Sequence, residues 1–146
     1  MWSEVLVRYG HFLGILLLMG LLMSEHLLIK PQMTRNEIRK FSKVDAFVGL
    51  AAIFTMIMGL ILWIGVGKPK EFYTKNPVMH IKLTLFMAIF FLSLVPTIWF
   101  IKNRKGEEKE VIDVPKKHKM IIRIELVFLL LMPFVATLLA RGIGLP

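Results

Sequence analysis

Four long stretches of the chain are almost entirely apolar, and short polar stretches separate them. A bilayer core about 30 Å thick needs roughly 20 mostly apolar residues in helical form. Four segments meet this condition: 5–29, 44–66, 78–101 and 120–143. Because the connections are short, neighbouring helices are expected to run antiparallel. The pattern predicts an all-α integral membrane protein, a four-helix bundle that forms a single transmembrane domain over residues 1–146.

The composition favours a membrane protein over a soluble one. The 146 residues are 56% hydrophobic and their mean hydropathy is +0.68, which is more apolar surface than a soluble domain of this length can bury. The first apolar stretch lacks a small-residue cleavage site, so we interpret it as a retained span and not as a signal peptide. The chain has no cysteine, which excludes disulfides, thiolate metal sites and covalent c-type haem attachment.

The charge distribution predicts an orientation. The formal net charge of +9 would suggest nucleic acid as the partner of a soluble protein, but the basic residues concentrate in segments 30–43 and 102–119. Basic loops beside apolar spans are cytoplasmic by the positive-inside rule. We therefore expect the lipid bilayer, and no nucleic acid, as the partner, with the first and third loops cytoplasmic and the N- and C-termini outside.

Ionisable residues at membrane depth form two groups, and the first lies near the outward ends of the spans. It contains His11 in the first span and His80 with Lys82 in the third. A neutral imidazole can ligate haem iron or another transition metal, and Gly14, one turn from His11, would leave room for a porphyrin. His80 and Lys82 differ by about 200° around a helix, so at most one of them ligates. The alternative for His11 is a histidine that is bonded to a neighbouring helix or that extends to the membrane interface.

The second group lies near the inward ends of the spans. It contains Glu25 and His26 in the first span, Asp45 in the second, and Arg123 and Glu125 in the fourth. We interpret it as a buried charge cluster in which Arg123 neutralises Asp45 or Glu25. The alternative is a proton path or a substrate site, because ionisable side chains inside a bilayer usually serve a function.

Several sequence runs resemble a known family. They are KVDAFVGLAA around Asp45, GKPKEFYTKNPVMHIKLTLF and SLVPT, together with His11 and Glu25. This set resembles a family of small bacterial inner-membrane proteins known only as a domain of unknown function. That family is distantly similar to HemJ-type protoporphyrinogen oxidases and to CopD-type copper-resistance membrane proteins, through His11 and the segment HIKL, His80–Leu83. The resemblance implies the bacterial inner membrane as the location and a bound haem b with His11, and His80 or Lys82, as axial ligands.

Three functions follow as hypotheses. The first is a haem b protein that acts in electron transfer or porphyrin oxidation, which would make it a membrane oxidoreductase with a redox partner. The second is a CopD-like transport or resistance protein for copper or another small solute, with His11, His80 and some of the ten methionines as ligands. The third is a non-catalytic membrane subunit or homo-oligomer, whose charged inner group and basic loops would dock to another protein or to anionic lipid.

Overall fold

The computed structural model describes residues 1–145 and consists mainly of four long helices. The elements in chain order are α1 Trp2–Leu28, β1 Gln32–Thr34, α2 Arg35–Ile61, a π-helical turn Leu62–Val66, α3 Lys70–Thr74, α4 Pro77–Asn103, β2 Val111–Asp113 and α5 Lys116–Ala140.

The four long helices account for the four predicted spans. The helical segments Trp2–Leu28, Arg35–Val66, Pro77–Asn103 and Lys116–Ala140 are each long and apolar enough to cross a membrane. Many of their large apolar side chains are exposed, including Leu16, Phe47 and Leu130. An apolar exterior of this kind suits contact with lipid. The protein is therefore an all-α membrane helical bundle, as the hydropathy pattern predicted.

The helices form a closed ring of four. α1 packs mainly along α2, and α4 along α5, while contacts of α2 with α4 and of α1 with α5 complete the ring. α1 and α4 therefore occupy opposite corners. The rings of Phe41 in α2 and Phe100 in α4 stack in the core with centroids 3.9 Å apart.

A short antiparallel sheet joins the first and third loops, which the hydropathy pattern did not predict. β1 pairs with β2, with Met33 opposite Ile112, and Met33 is buried. The two basic loops consequently lie at the same end of the bundle, which we call the sheet end. The connection between α2 and α4 lies at the opposite end, where the Asn76 side-chain amide donates to the carbonyl of Ile143 at 3.1 Å.

The second long helix begins earlier than the predicted start of its span at residue 44. Thr34 caps α2: its hydroxyl accepts from the backbone N–H of Glu37, and the Glu37 carboxylate accepts from the backbone N–H of Thr34. This capping box satisfies two backbone donors that a helix start leaves free. The first turns of α2 are polar, so hydropathy alone does not detect them.

Candidate functional site

Three carboxyl groups lie inside the bundle, each on a different helix. Glu25 of α1, Asp45 of α2 and Glu125 of α5 expose only 2%, 8% and 1% of their surface. Each lies on the buried stripe of its helix; Glu25, for example, follows the buried Leu18 and Leu22 at helical spacing. We call these three acidic residues the carboxyl cluster.

The members of the carboxyl cluster interact with one another. Glu25, Asp45 and Glu125 lie close enough to one another for electrostatic interaction. Among residues 1–145, Glu25 Oε1 and Glu125 Oε1 have no hydrogen-bond partner. Ionised carboxylates that lie close together in a buried site repel one another. The cluster therefore requires a proton, or a cation from outside the chain, to balance its charge.

Arg123 does not belong to the cluster, in contrast to the ion pair expected from the sequence. Its side chain is exposed, and its Nε donates to Nε2 of the half-buried His26 at 3.2 Å. Arg123 precedes Glu125 by two residues, which places it about 200° around the helix axis. When Glu125 faces the core, Arg123 must face away from it. The buried group thus contains three acids and neither of the basic residues grouped with them.

A cavity of about 240 Å³ adjoins the carboxyl cluster. Asp45 and Glu125 form part of its wall, and most of the remaining wall is apolar. Ser42, one turn before Asp45, also lines it; this side chain is 8% exposed and its hydroxyl has no partner among residues 1–145. Gly49 faces open space, since a Cβ there would meet no atom within 4 Å. The cavity thus gives a bound molecule access to two of the three acids.

His11 is held against α2. Its Nδ1 lies 2.9 Å from the carbonyl oxygen of Thr55, and a Cβ at Gly59 would lie 3.1 Å from His11 Cε1. Gly14 likewise packs on α2, where an added Cβ would collide with Thr55 Oγ1. The space expected beside His11 for a porphyrin is therefore occupied, at Gly14, by helix α2.

The structure does not bring His80, one of the two other proposed ligands, to His11. His80 is exposed on α4, and its Nε2 lies 3.0 Å from the carbonyl oxygen of Thr74 in α3. Lys82, the other proposed ligand, is half-buried on the same helix and close enough to His11 for electrostatic interaction. Because α1 and α4 occupy opposite corners and His80 bonds to α3, the two histidines do not face each other as a pair of axial ligands.

Comparison with known proteins identifies the family. The family model described as "Predicted membrane protein (DUF2214)" matches residues 3–144. The chain belongs to this family. No curated protein and no solved structure matches the DUF2214 chain. The comparisons therefore support the likeness to a membrane family of unknown function and give no support to the likeness to HemJ-type or CopD-type proteins.

The described part of the DUF2214 protein contains no preformed metal-binding site. Among residues 1–145, no three or more histidine, aspartate or glutamate side chains are grouped in a way that could hold a metal ion. The carboxyl cluster lies among apolar core residues such as Leu22, Ile122 and Leu129.

Two polar residues of the DUF2214 protein were missed by the sequence reasoning. His118 of α5 is 1% exposed, both of its ring nitrogens lack a partner among residues 1–145, and its ring centroid lies 5.1 Å from that of Trp99. It precedes Glu125 by seven residues, so both lie on one face of α5, about 10 Å apart along the axis. That spacing was visible in the sequence, as was the spacing of Ser42 to Asp45, but the lysines around His118 indicated a loop.

Proposed function

We propose that this DUF2214 protein is a proton-coupled membrane transport protein in which the carboxyl cluster binds and releases a proton. One observation carries the proposal: Glu25, Asp45 and Glu125 share the interior of a membrane bundle without a basic partner. Ionised side chains inside a bilayer are costly unless paired or protonated. A group of acids held there without an ion-pair partner is a feature of proton-binding sites in membrane proteins.

The neighbouring cavity supports transport as the activity. Asp45 and Glu125 form part of its wall, so a molecule in the cavity would contact groups whose charge depends on protonation. Loss of a proton makes the wall negative, and gain of a proton makes it neutral. The affinity for a bound solute then differs between the two states, which is the condition for coupling two binding events. This supports solute transport, the second of the three hypotheses from the sequence.

Infrared spectroscopy of the purified protein tests proton binding. The C=O stretching band of protonated carboxyl groups is expected in the wild type at neutral pH and is expected to weaken in Glu25→Gln and in Asp45→Asn. Glu71→Gln removes an exposed carboxylate at the opposite end of the bundle and serves as the control. Absence of the band, or equal spectra in all four proteins, would overturn the proton site.

Proton flux in reconstituted vesicles tests coupling separately. Vesicles that contain a pH-sensitive dye, with a pH gradient and a potassium diffusion potential, are expected to change their internal pH faster with wild-type protein than with Glu25→Gln or Glu125→Gln. Glu71→Gln is expected to behave like the wild type. A carboxyl band without any flux would retain the proton site and reject transport.

Haem b binding is the second candidate, because one feature of His11 favours ligation. A ring that donates from Nδ1 to the carbonyl of Thr55 keeps Nε2 unprotonated, as in many metal-bound histidines. The residues present do not fit a haem held between His11 and His80, since those side chains do not face each other. Expression with a haem precursor gives the test. A b-type visible spectrum that is lost in His11→Ala would support haem, and a colourless wild-type protein would reject it.

We further propose that the protein resides in the bacterial inner membrane with the sheet end in the cytoplasm. The sheet end gathers the two basic loops, 30–43 and 102–119, on one side of the bundle. Retention of Lys and Arg on the cytoplasmic side is the general rule for such loops.

A further inference from the structure

A second pocket, of about 410 Å³, lies at the sheet end between α2 and α4, and we call it the basic pocket. The residues that line it are Arg39, Ser42, Lys43, Ala46, Arg104 and Lys105. Ser42, Ala46 and Arg104 also line the cavity beside the carboxyl cluster. The two spaces are therefore neighbours, with a strongly basic part near the loops and an apolar part deeper along the helices.

The charge of the basic pocket is mostly uncompensated. Arg39 holds the turn after α4, since its Nε donates to the carbonyl of Arg104 at 2.8 Å and its Nη2 to that of Gly106 at 2.6 Å. Its nearest carboxylate oxygen, from Glu108, is 3.8 Å away. Within residues 1–145 no ion pair involves Lys43, Arg104 or Lys105. Three cationic side chains are thus free to bind an anion.

The apolar part of the cavity reaches the outer face of the bundle between α2 and α4. Gly49 and Ile53 of α2 and Phe90, Leu94 and Ile101 of α4 line it and are exposed. Gly49 leaves a gap at this position because it has no side chain and no neighbouring side chain fills the space. Gly49 lies seven residues beyond Ser42, or about 10 Å deeper along the helix. An apolar chain entering from the lipid would fit along this groove.

We propose that an acidic phospholipid binds here, with its phosphate in the basic pocket and one acyl chain in the groove between α2 and α4. Guanidinium and ammonium groups bind phosphate oxygens through charge-assisted hydrogen bonds, and basic pockets between membrane helices bind anionic headgroups. The net positive charge of the pocket disfavours a zwitterionic lipid, whose own cation would be repelled. The basic residues that would hold the phosphate do not belong to the carboxyl cluster, whereas the acyl chain would lie in the cavity whose wall includes Asp45 and Glu125.

Native mass spectrometry of the purified full chain tests the site with phosphatidylglycerol and phosphatidylcholine as probes. The wild type is expected to retain phosphatidylglycerol in preference to phosphatidylcholine. The double variant Arg104→Gln/Lys105→Gln, which lacks two basic side chains of the pocket, is expected to bind phosphatidylglycerol at least about tenfold more weakly. Lys70→Gln/Lys75→Gln removes the same charge at the opposite end and is expected to bind like the wild type.

Gly49→Leu tests the acyl-chain groove without a change of charge. It is expected to fold, since a side chain there meets open space, and to reduce phosphatidylglycerol binding by filling the groove. Equal retention of both lipids by the wild type would overturn the proposal. So would undiminished binding in Arg104→Gln/Lys105→Gln, or an equal loss in Lys70→Gln/Lys75→Gln, which would indicate a general charge effect. Full binding in Gly49→Leu would overturn the placement of the acyl chain.

Discussion

Gly14 of α1 and Thr55 of α2 lie so close that a Cβ at residue 14 would collide with the Thr55 hydroxyl oxygen. That hydroxyl donates to the carbonyl of Ala51 at 2.7 Å within its own helix, and both residues are buried. Close helix contact through glycine is a common packing device in membranes, where van der Waals contact replaces the hydrophobic effect as the force between helices.

Gly14→Ala is therefore expected to lower the free energy of unfolding by about 1 to 3 kcal/mol through overpacking. Gly20→Ala is the matched control, because a Cβ at residue 20 would meet nothing within 4 Å, and alanine favours the helix. Thermal unfolding in one detergent measures both. Equal melting temperatures for the two variants would contradict the close contact.

Arg123→Ala is expected to change the free energy of unfolding by less than about 0.5 kcal/mol, as for an ordinary exposed residue. Its guanidinium lies on the surface and, among residues 1–145, bonds to His26 alone. A buried ion pair with Glu25 or Asp45 would instead make the same substitution cost several kcal/mol. Denaturant unfolding distinguishes the two cases. A large loss in the free energy of unfolding would show that Arg123 pairs with the carboxyl cluster.

The ion pair between Glu110 and Arg35 predicts a pH dependence at the sheet end. Arg35 Nε donates to the Glu110 carboxylate at 2.6 Å, and this bond lowers the pKa of Glu110 below its usual range. A lowered folded-state pKa means that the bond stabilises the loop above the usual carboxyl pKa and is lost as the pH falls through the folded-state value.

Hydrogen exchange of the Arg35 amide measures this effect, because that N–H donates to the Glu110 carbonyl at 3.0 Å. Protection is expected to fall in acid in the wild type and to be low and independent of pH in Glu110→Gln, once the intrinsic exchange rates are corrected for. If Arg35 amide protection has the same pH dependence in Glu110→Gln as in the wild type, another group controls the loop.

The absence of cysteine allows a direct test of orientation. Lys109→Cys lies in the third loop and Lys75→Cys in the connection between α2 and α4, both at exposed positions. In intact bacterial cells, a membrane-impermeant maleimide is expected to label Lys75→Cys and to spare Lys109→Cys until the cells are opened. The reverse pattern would place the sheet end outside.

The sequence predicted the spans well because lipid contact demands long apolar helices, a requirement that hydropathy measures directly. It predicted the burial of Glu25, Asp45 and Glu125 from their depth, since depth follows from position along a span. It failed for Arg123, because depth along a span does not determine which way a side chain faces around the helix axis.

Other features depend on contacts that composition does not reveal. The strands β1 and β2 have three residues each, too few for an alternating pattern to stand out from a loop. His118 is buried because Trp99 and Phe100 of α4 pack around it. The sequence pattern within α5 does not indicate this contact with another helix. The pairing of His11 with Thr55 similarly depends on how α1 docks against α2.

The sheet at one end of the bundle has a mechanical consequence. β1 lies between α1 and α2, and β2 between α4 and α5, so their pairing links the two helical hairpins at that end. The chain itself joins the same two hairpins at the far end, through the connection between α2 and α4. The bundle is therefore closed at both ends, by backbone hydrogen bonds of the sheet at one and by the covalent connection at the other, where Asn76 also bonds to Ile143.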